Sequence, residues 1–559
     1  MAEPVLNRSK IRKPVIETAQ VNHLPIVAHF ARKMGLVEII NRLVPVDMDV
    51  EPGVIVLGLI LDTLSGRSPL YHLESSFAEL DCMLLFGKEI PPGYFSDDNV
   101  GRVLDRIFEV GTQKIFSDLS VNAVLRFSIP TNHIHFDTTS VNVYGDYECS
   151  TKESSPFNIT HGYSKDKRPD LKQFILSLLC ADGGIPIVGK IEDGNSSDKT
   201  INNYVLSEVS QHMSKFGVAD DAFIYIADSA MVTKENLEIA SLFITRLPAT
   251  YNECDRAILS AVDSDQWVDV GCIAKTPDSK KRPNAIYRVK EEQVILYDKQ
   301  YRAIVVHSSA HDKRREKKLE RELSASSNKI KKTIKKIEGE IYFCRADAES
   351  AAAKWTKEES KYHQLEVEIV EKPRYKKGRP KKGQARQVES MEYKLSAIIR
   401  EKDKEVTRYR QLCGCFVLLT DVAEDWDDGY SAERILRTYK EQFAIEKNFG
   451  FLKDDQIVNA IFLKKTERIE SLGLILLISL LVWRLMEHTM RTELAEKDDT
   501  IDGWDNKPTK RPTSYMLTWK FKGIMVISVD GQRQLARPLT PNQTEFLSIL
   551  KVPLSCFLE

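Results

Sequence analysis

A chain of 559 residues exceeds what one hydrophobic core normally serves, so three or more domains are expected. A formal net charge of −1 excludes a chain that is basic throughout. The nine cysteines are scattered, only Cys413 and Cys415 being close, with no second pair at zinc spacing, so they read as reduced core residues rather than a disulfide framework.

The opening segment, MAEPVLNRSKIRK, lacks the apolar stretch of a signal peptide, and a cytoplasmic location follows as the expectation. Residues 1–128 carry helical periodicity, as in VGRVLDRIFEVGTQKIFSDLSVNAVL, interrupted by the breakers GRSP and IPPGY. They are read as a helical N-terminal domain.

From residue 129 the period changes. NHIHFDTTSVNVYGDY alternates apolar and polar at Ile134, Phe136, Val141 and Val143, the pattern of a half-buried strand, with Asp137 set among them. His161, Tyr163, Lys165 and Arg168 follow in a polar connection, where His161 reads either as a ligand or general base or as a hydrogen-bonding partner. QFILSLLCADGGIPIVGK then gives two strands joined by a tight turn at Asp182, Gly183 and Gly184. NNYVLSEVSQHMSKFG has helical spacing and stops at Gly217. DAFIYIAD is a short strand ending in Asp228, a second helix begins near Thr233, and LFITRL is a further strand. The order is β-β-β-α-β-α-β, and a sheet in which strands one and four are neighbours holds Asp137 and Asp228 side by side.

Residues 251–412 are too long for a loop and form an expected α+β insertion domain. WVDVGCIA, AIYRVKEEQVILYD and YRAIVVHSS read as strands. From Lys313 to Glu371 runs a charged helical pattern, a further helix is expected from Val388 to Arg410, and the two suggest a helical hairpin. Its tip, KPRYKKGRPKKGQAR, holds eight Lys or Arg between Lys372 and Arg386 with no acid, so a basic face coexists with a neutral total. Lys376, Lys377, Arg379, Lys381 and Lys382 are its DNA-binding candidates. Around Gly378, Arg379 and Pro380 it is similar to an AT-hook, whose Arg-Pro segment lies in a narrow minor groove; a solvated basic loop and nonspecific phosphate binding are the alternatives.

After the strand FVLLT, the segment YKEQFAIEKNFGFLK reads as one helix. A 100° step places Gln442, Glu446 and Lys453 at about 300°, 340° and 320° from Tyr439, so one face carries a phenol, an amide, a carboxylate and an ammonium. LGLILLISLLVW, from Leu472 to Trp483, is about a dozen residues, short of the ~20 a membrane span needs, and reads as a buried helix behind the Glu446 helix. Near the end, Thr540, Pro541 and Gln543 form a capping-box start to a last helix.

Three carboxylates brought to one sheet edge repel unless divalent cations neutralise them, and Mg²⁺ favours a few carboxylates plus phosphate oxygens. The chemistry implied for Asp137, Asp228 and Glu446 is two-metal phosphodiester cleavage with Mg²⁺.

HFDTTS around Asp137, HGYSKDKRPDLKQ from His161 to Gln173, YIADSAM around Asp228 and YKEQFAIEKNFGFLK resemble, in order, the blocks of DDE transposases of bacterial insertion sequences, the group with a Tyr-x2-Arg-x3-Glu-x6-Lys signature. Gln442 stands where that signature has Arg; its amide can hydrogen-bond a phosphate oxygen but brings no charge. The resemblance implies a multidomain α/β protein. In it an RNase H-like catalytic core (129–250 and 413–500) is interrupted by the insertion (251–412), preceded by the helical domain and followed by a packing or dimerisation region (501–559). It implies binding of Mg²⁺ or Mn²⁺ by Asp137, Asp228 and Glu446, contacts from Tyr439, Gln442 and Lys453 to double-stranded DNA, and a homodimer holding two transposon ends. Cleavage at the element ends and joining of the 3′-hydroxyls to target DNA would share one site, in a nucleoid-associated enzyme. For the N-terminal domain it suggests DNA-end recognition, with a structural helical cap as the other reading. A nuclease without strand transfer and an idle DNA-binding derivative are the alternative functions.

Overall fold

The computed structural model describes residues 15–145, 147, 155–274, 283–357, 360–378, 380, 383, 385–427, 429–454, 463 and 465–559. The chain divides into two compact units, Met1–Thr245 with Thr438–Glu559, and Arg246–Arg437.

In the first unit a five-stranded sheet is built from β1 (His133–Val143), β2 (Lys172–Ala181), β3 (Ile185–Glu192), β4 (Ile224–Ala227) and β5 (Phe243–Leu247), in the order β3-β2-β1-β4-β5. The first three strands are antiparallel, whereas β4 and β5 run parallel to β1. The β2–β3 turn sits on Gly183 and Gly184, at φ 74° and 78°, the left-handed conformation that the glycine pair was expected to supply. Ser197 caps helix α1 (Asp198–Ser214) by accepting from the Thr200 amide.

Alternation along β1 separates two environments. On the Phe136 face lies α1, whose Asn202 accepts a hydrogen bond from Tyr225 of β4, and whose Tyr204 and Val205 line a small gap with Phe136. On the Asp137 face lie α2 (Phe443–Leu452) and α3 (Thr466–Glu496). Leu178, the register partner of Asp137, meets α3 through Leu477, and Gly189 leaves room for that contact.

Helix α3 is longer than its apolar core suggested. It spans 31 residues and is long and apolar enough to cross a membrane, yet 89% of its most apolar window is buried inside the protein. The helices Leu24–Lys33, Pro52–Ser65, Asp97–Val110 and Thr112–Phe127 pack around it. Two ion pairs fasten this assembly, Arg468 to Asp105 at 2.7 Å and Arg533 to Asp81 at 2.6 Å. The strand Ile16–Gln20 pairs antiparallel with Met525–Val529, joining the two ends of the chain in one small sheet. The capping box at Thr540 is present, with reciprocal bonds between Thr540 and Gln543.

The second unit has a four-stranded antiparallel sheet in the order Cys415–Thr420, Lys299–Ser308, Ile286–Leu296, Val268–Cys272. Beyond it the expected helical hairpin is corrected. The helix Ser309–Ile337 is followed by a shorter one, Arg345–Thr356, and then by a long β-hairpin, His363–Tyr375 against Val388–Glu401. Only Asp403–Leu412 of the helix expected from Val388 to Arg410 is helical. The reason is a period-two pattern: Leu365, Val367 and Ile369 on one strand, and Leu395, Ala397 and Ile399 on the other, pack on Ile330, Ile337 and Ala348 of the two helices. From Glu371 to Tyr375 every residue is exposed, so the outer end of the hairpin stands clear of that core.

Candidate functional site

The parallel register of β1 and β4 pairs His133 with Ile224, Ile134 with Tyr225 and His135 with Ile226. Continued by two residues, it sets Asp137 level with Asp228 on strands about 4.8 Å apart. Asp228 ends β4 in an extended conformation and accepts a hydrogen bond from the Ala230 amide at 3.0 Å. Asp137 accepts one from the Thr138 amide at 2.8 Å.

Burial dominates the electrostatics. It pushes the Asp137 carboxyl up to about 7, against the opposing pull of Lys165, and the charges of Asp228 and Asp198 push the same way. Asp228 is raised too, first by burial and then by Asp198. Asp198, the first residue of α1, was not foreseen as part of this site. Its carboxylate accepts from the Thr138 hydroxyl at 2.5 Å and lies 3.3 Å from the Lys165 ammonium. Lys165 in turn donates to the Thr138 carbonyl at 2.8 Å. The apolar residues after Asn202 mark the helix but not its start; the signal that places Asp198 against β1 is the Ser197 cap.

The loop carrying Lys165 is held by close backbone approach. A Cβ on Gly162 would lie 2.1 Å from the Gly194 carbonyl oxygen, and Gln173 donates to the carbonyls of Gly194 and Tyr163 at 2.7 and 3.2 Å. His161 and Tyr163 are exposed, and Arg168 is paired with Asp170 at 2.7 Å.

The helix expected over Tyr439–Lys453 is broken. Ala432–Lys440 and α2 are separate helices, and Glu441 and Gln442 lie in the turn between them, where the Gln442 amide bonds back to the Tyr439 carbonyl in a tighter loop. Tyr439 is half-buried and precedes the break, which takes it off the shared face. Gln442, Glu446 and Lys453 keep that face. The Gln442 side chain turns to β1, donating to the Phe136 carbonyl at 3.4 Å. Lys453 caps the other end and binds Asp166 at 2.7 Å, whose carboxylate also takes a bond from Asn142 of β1 at 3.2 Å. The helix therefore runs alongside β1 from Phe136 toward Asn142. Glu446, about 6 Å beyond Gln442, falls level with the stretch Asp137–Thr138.

Two residues on, Asn448 fixes the rotation of α2. It donates to the Gly184 carbonyl at 2.9 Å and accepts from Arg484 of α3 at 2.6 Å; Arg484 continues to Glu487 at 2.6 Å. With Asn448 buried on one side, Glu446 is exposed on the other. Its carboxylate is not drawn into contact with the two aspartates. Among the described residues, the one trio of His, Cys, Asp or Glu ligand atoms lying within 4.8 Å of one another is His133, Asp182 and Glu441.

Of the basic tip, Lys376 and Lys377 follow directly on the strand His363–Tyr375 and are exposed; Arg379, Lys381 and Lys382 lie outside the described residues.

Residues 16–121 match a family described as a domain of unknown function, DUF4277. No curated protein sequence matches the chain.

Proposed function

We propose that this protein is a metal-dependent DNA-cleaving and strand-joining enzyme of the DDE transposase type, with an RNase H-like core. The observation that carries the reading is the register of β1 and β4, which levels Asp137 with Asp228 at one point of the sheet while burial holds the Asp137 carboxyl at about 7. Folding retains a buried acidic pair here at a cost, and such a cost is usual where a cation completes the site.

The donor set fits a hard divalent ion: Asp137, Asp228 and Glu446 offer carboxylate oxygens only, with Asp198 beside the two aspartates. Bound Mg²⁺ or Mn²⁺ would activate the attacking oxygen and stabilise the leaving one. The chain's own groups have distinct tasks. Asp137 and Asp228 would hold the cations from neighbouring strand positions. Glu446, exposed on the helix side opposite the buried Asn448, would complete the set when cations draw it in. Lys165 offsets part of the negative charge until cations and DNA arrive. Lys453, once released from Asp166, and the exposed Lys376 and Lys377 on the second unit would meet phosphates.

The test uses labelled duplexes cut from the DNA on either side of the coding sequence, where inverted repeats are first sought, with a target plasmid and Mg²⁺. Joined product is expected, and Asp137→Asn, Asp228→Asn and Glu446→Gln should each abolish it while leaving the gel shift of the end duplex in place. Nicks without joining would reduce the reading to a nuclease, and a shift without cutting would overturn it.

A further inference from the structure

His133, Asp182 and Glu441 come from three turns rather than one motif: the start of β1, the β2–β3 turn and the break before α2. His133 binds Asp182 twice, through Nδ1 to Oδ1 at 2.8 Å and through its amide to Oδ2 at 3.3 Å. One potential ligand atom from each of the three residues lies within 4.8 Å of the others. Ligands 2.0–2.2 Å from a cation sit about 3–3.6 Å apart, so the three atoms need to draw together by about 1 Å or more to fill a coordination sphere. A second observation points the same way. His135, next on the same face of β1, is 4% exposed, and its Nδ1 is buried with no hydrogen-bond partner. A neutral imidazole nitrogen left without a donor is costly, and it stands where the charges of His133 and Asp182 both reach it.

We propose that His133, Asp182 and Glu441 bind a divalent transition-metal ion of the zinc kind, in a site separate from the aspartate pair, and that this ion ties the start of α2 to the end of the sheet. The imidazole donor separates it from a Mg²⁺ site, since imidazole nitrogen suits zinc, whereas magnesium takes oxygen. Four strand residues, about 13 Å, separate His133 from Asp137. The lever is short, because Glu441 lies in the turn from which α2 sets out.

Calorimetric titration of the full-length, chelator-treated protein with Zn²⁺, in excess Mg²⁺, tests it. One Zn²⁺ site is expected. Glu441→Gln and His133→Gln should each weaken it more than about ten-fold, the loss typical even of an outer partner of a metal ligand. The double variant Asp137→Asn, Asp228→Asn should retain it, which keeps this test independent of the catalytic reading. Co²⁺ added to the wild type should give visible absorption bands that shift in His133→Gln, and far-ultraviolet circular dichroism checks that each variant is folded. Unchanged Zn²⁺ affinity in folded Glu441→Gln, or loss of the site in the double aspartate variant, would overturn the proposal.

Discussion

Asp137 holds its proton up to a pH near 7 because burial removes water from the carboxylate. The sign follows from linkage. A carboxyl whose folded pKa lies above its unfolded value of 3.8 stabilises the fold while protonated, and that contribution is lost as pH rises from about 4 through 7. Above pH 7 the metal-free protein therefore carries a penalty of up to about 4 kcal/mol, less whatever solvent screening relieves. Asp137→Asn should raise the apparent stability of the chelator-treated protein at pH 8.5 and leave it nearly unchanged at pH 3.5, below the unfolded value, as read by urea denaturation, while removing cleavage. An equal effect at both pH values would mean that the carboxyl is not held protonated. At Lys453 the ammonium is already engaged by Asp166. Asp166→Asn should free it, tightening end binding and steepening the salt dependence by roughly one counterion, and Lys453→Ala should do the reverse. Identical slopes in both variants would place Lys453 away from DNA. The aspartates were legible in the sequence because each closes or interrupts an apolar run of strand period. Asp198 and the His133, Asp182, Glu441 group were not, since their proximity comes from caps and turns that no local period records.

Helix α2 shows how an element is aimed by groups outside itself. Asn448, Arg484 and Glu487 form a buried chain, closed by Arg491 at 2.9 Å from Glu487 and by the Ser514 amide at 3.1 Å. Arg484→Ala leaves Asn448 with a lost donor and Glu487 short of charge in a buried setting, and should cost about 3 kcal/mol of apparent stability in urea denaturation. Less than about 1 kcal/mol would show that Arg491 alone satisfies the network. The sequence carried the sheet of the first unit nearly in full, because β1 to β5 alternate or are continuously apolar and are bounded by glycines and caps. It misled in the insertion, where the charged stretch before Tyr375 and after Val388 was read by its charge as helix. The apolar residues at every second position, which need the faces of Ser309–Ile337 and Arg345–Thr356 for burial, decide the strand pairing there. The break at Glu441 was invisible for another reason: the sequence around it has no Gly or Pro, and the contact of Gln442 with β1 at the turn is a tertiary one that no local pattern records.

At the scale of the whole chain, the DUF4277-matched helices and the C-terminal region share one unit with the aspartate-bearing sheet, wrapped on α3. The same helix α3 that they pack on carries Arg484, which bonds Asn448 of the helix that bears Glu446. The second unit carries the exposed hairpin end with Lys376 and Lys377. The central claim is that three carboxylates of the first unit hold the cations that cut DNA, and a change of ligand tests it most directly. Asp137→Cys, Asp228→Cys and Glu446→Cys replace hard oxygen by softer sulfur, which Mg²⁺ rejects and Mn²⁺ tolerates better. Cleavage of a labelled end duplex should vanish in Mg²⁺ for all three variants and return in part in Mn²⁺. Substantial Mg²⁺-dependent cleavage by any one of them would contradict the account.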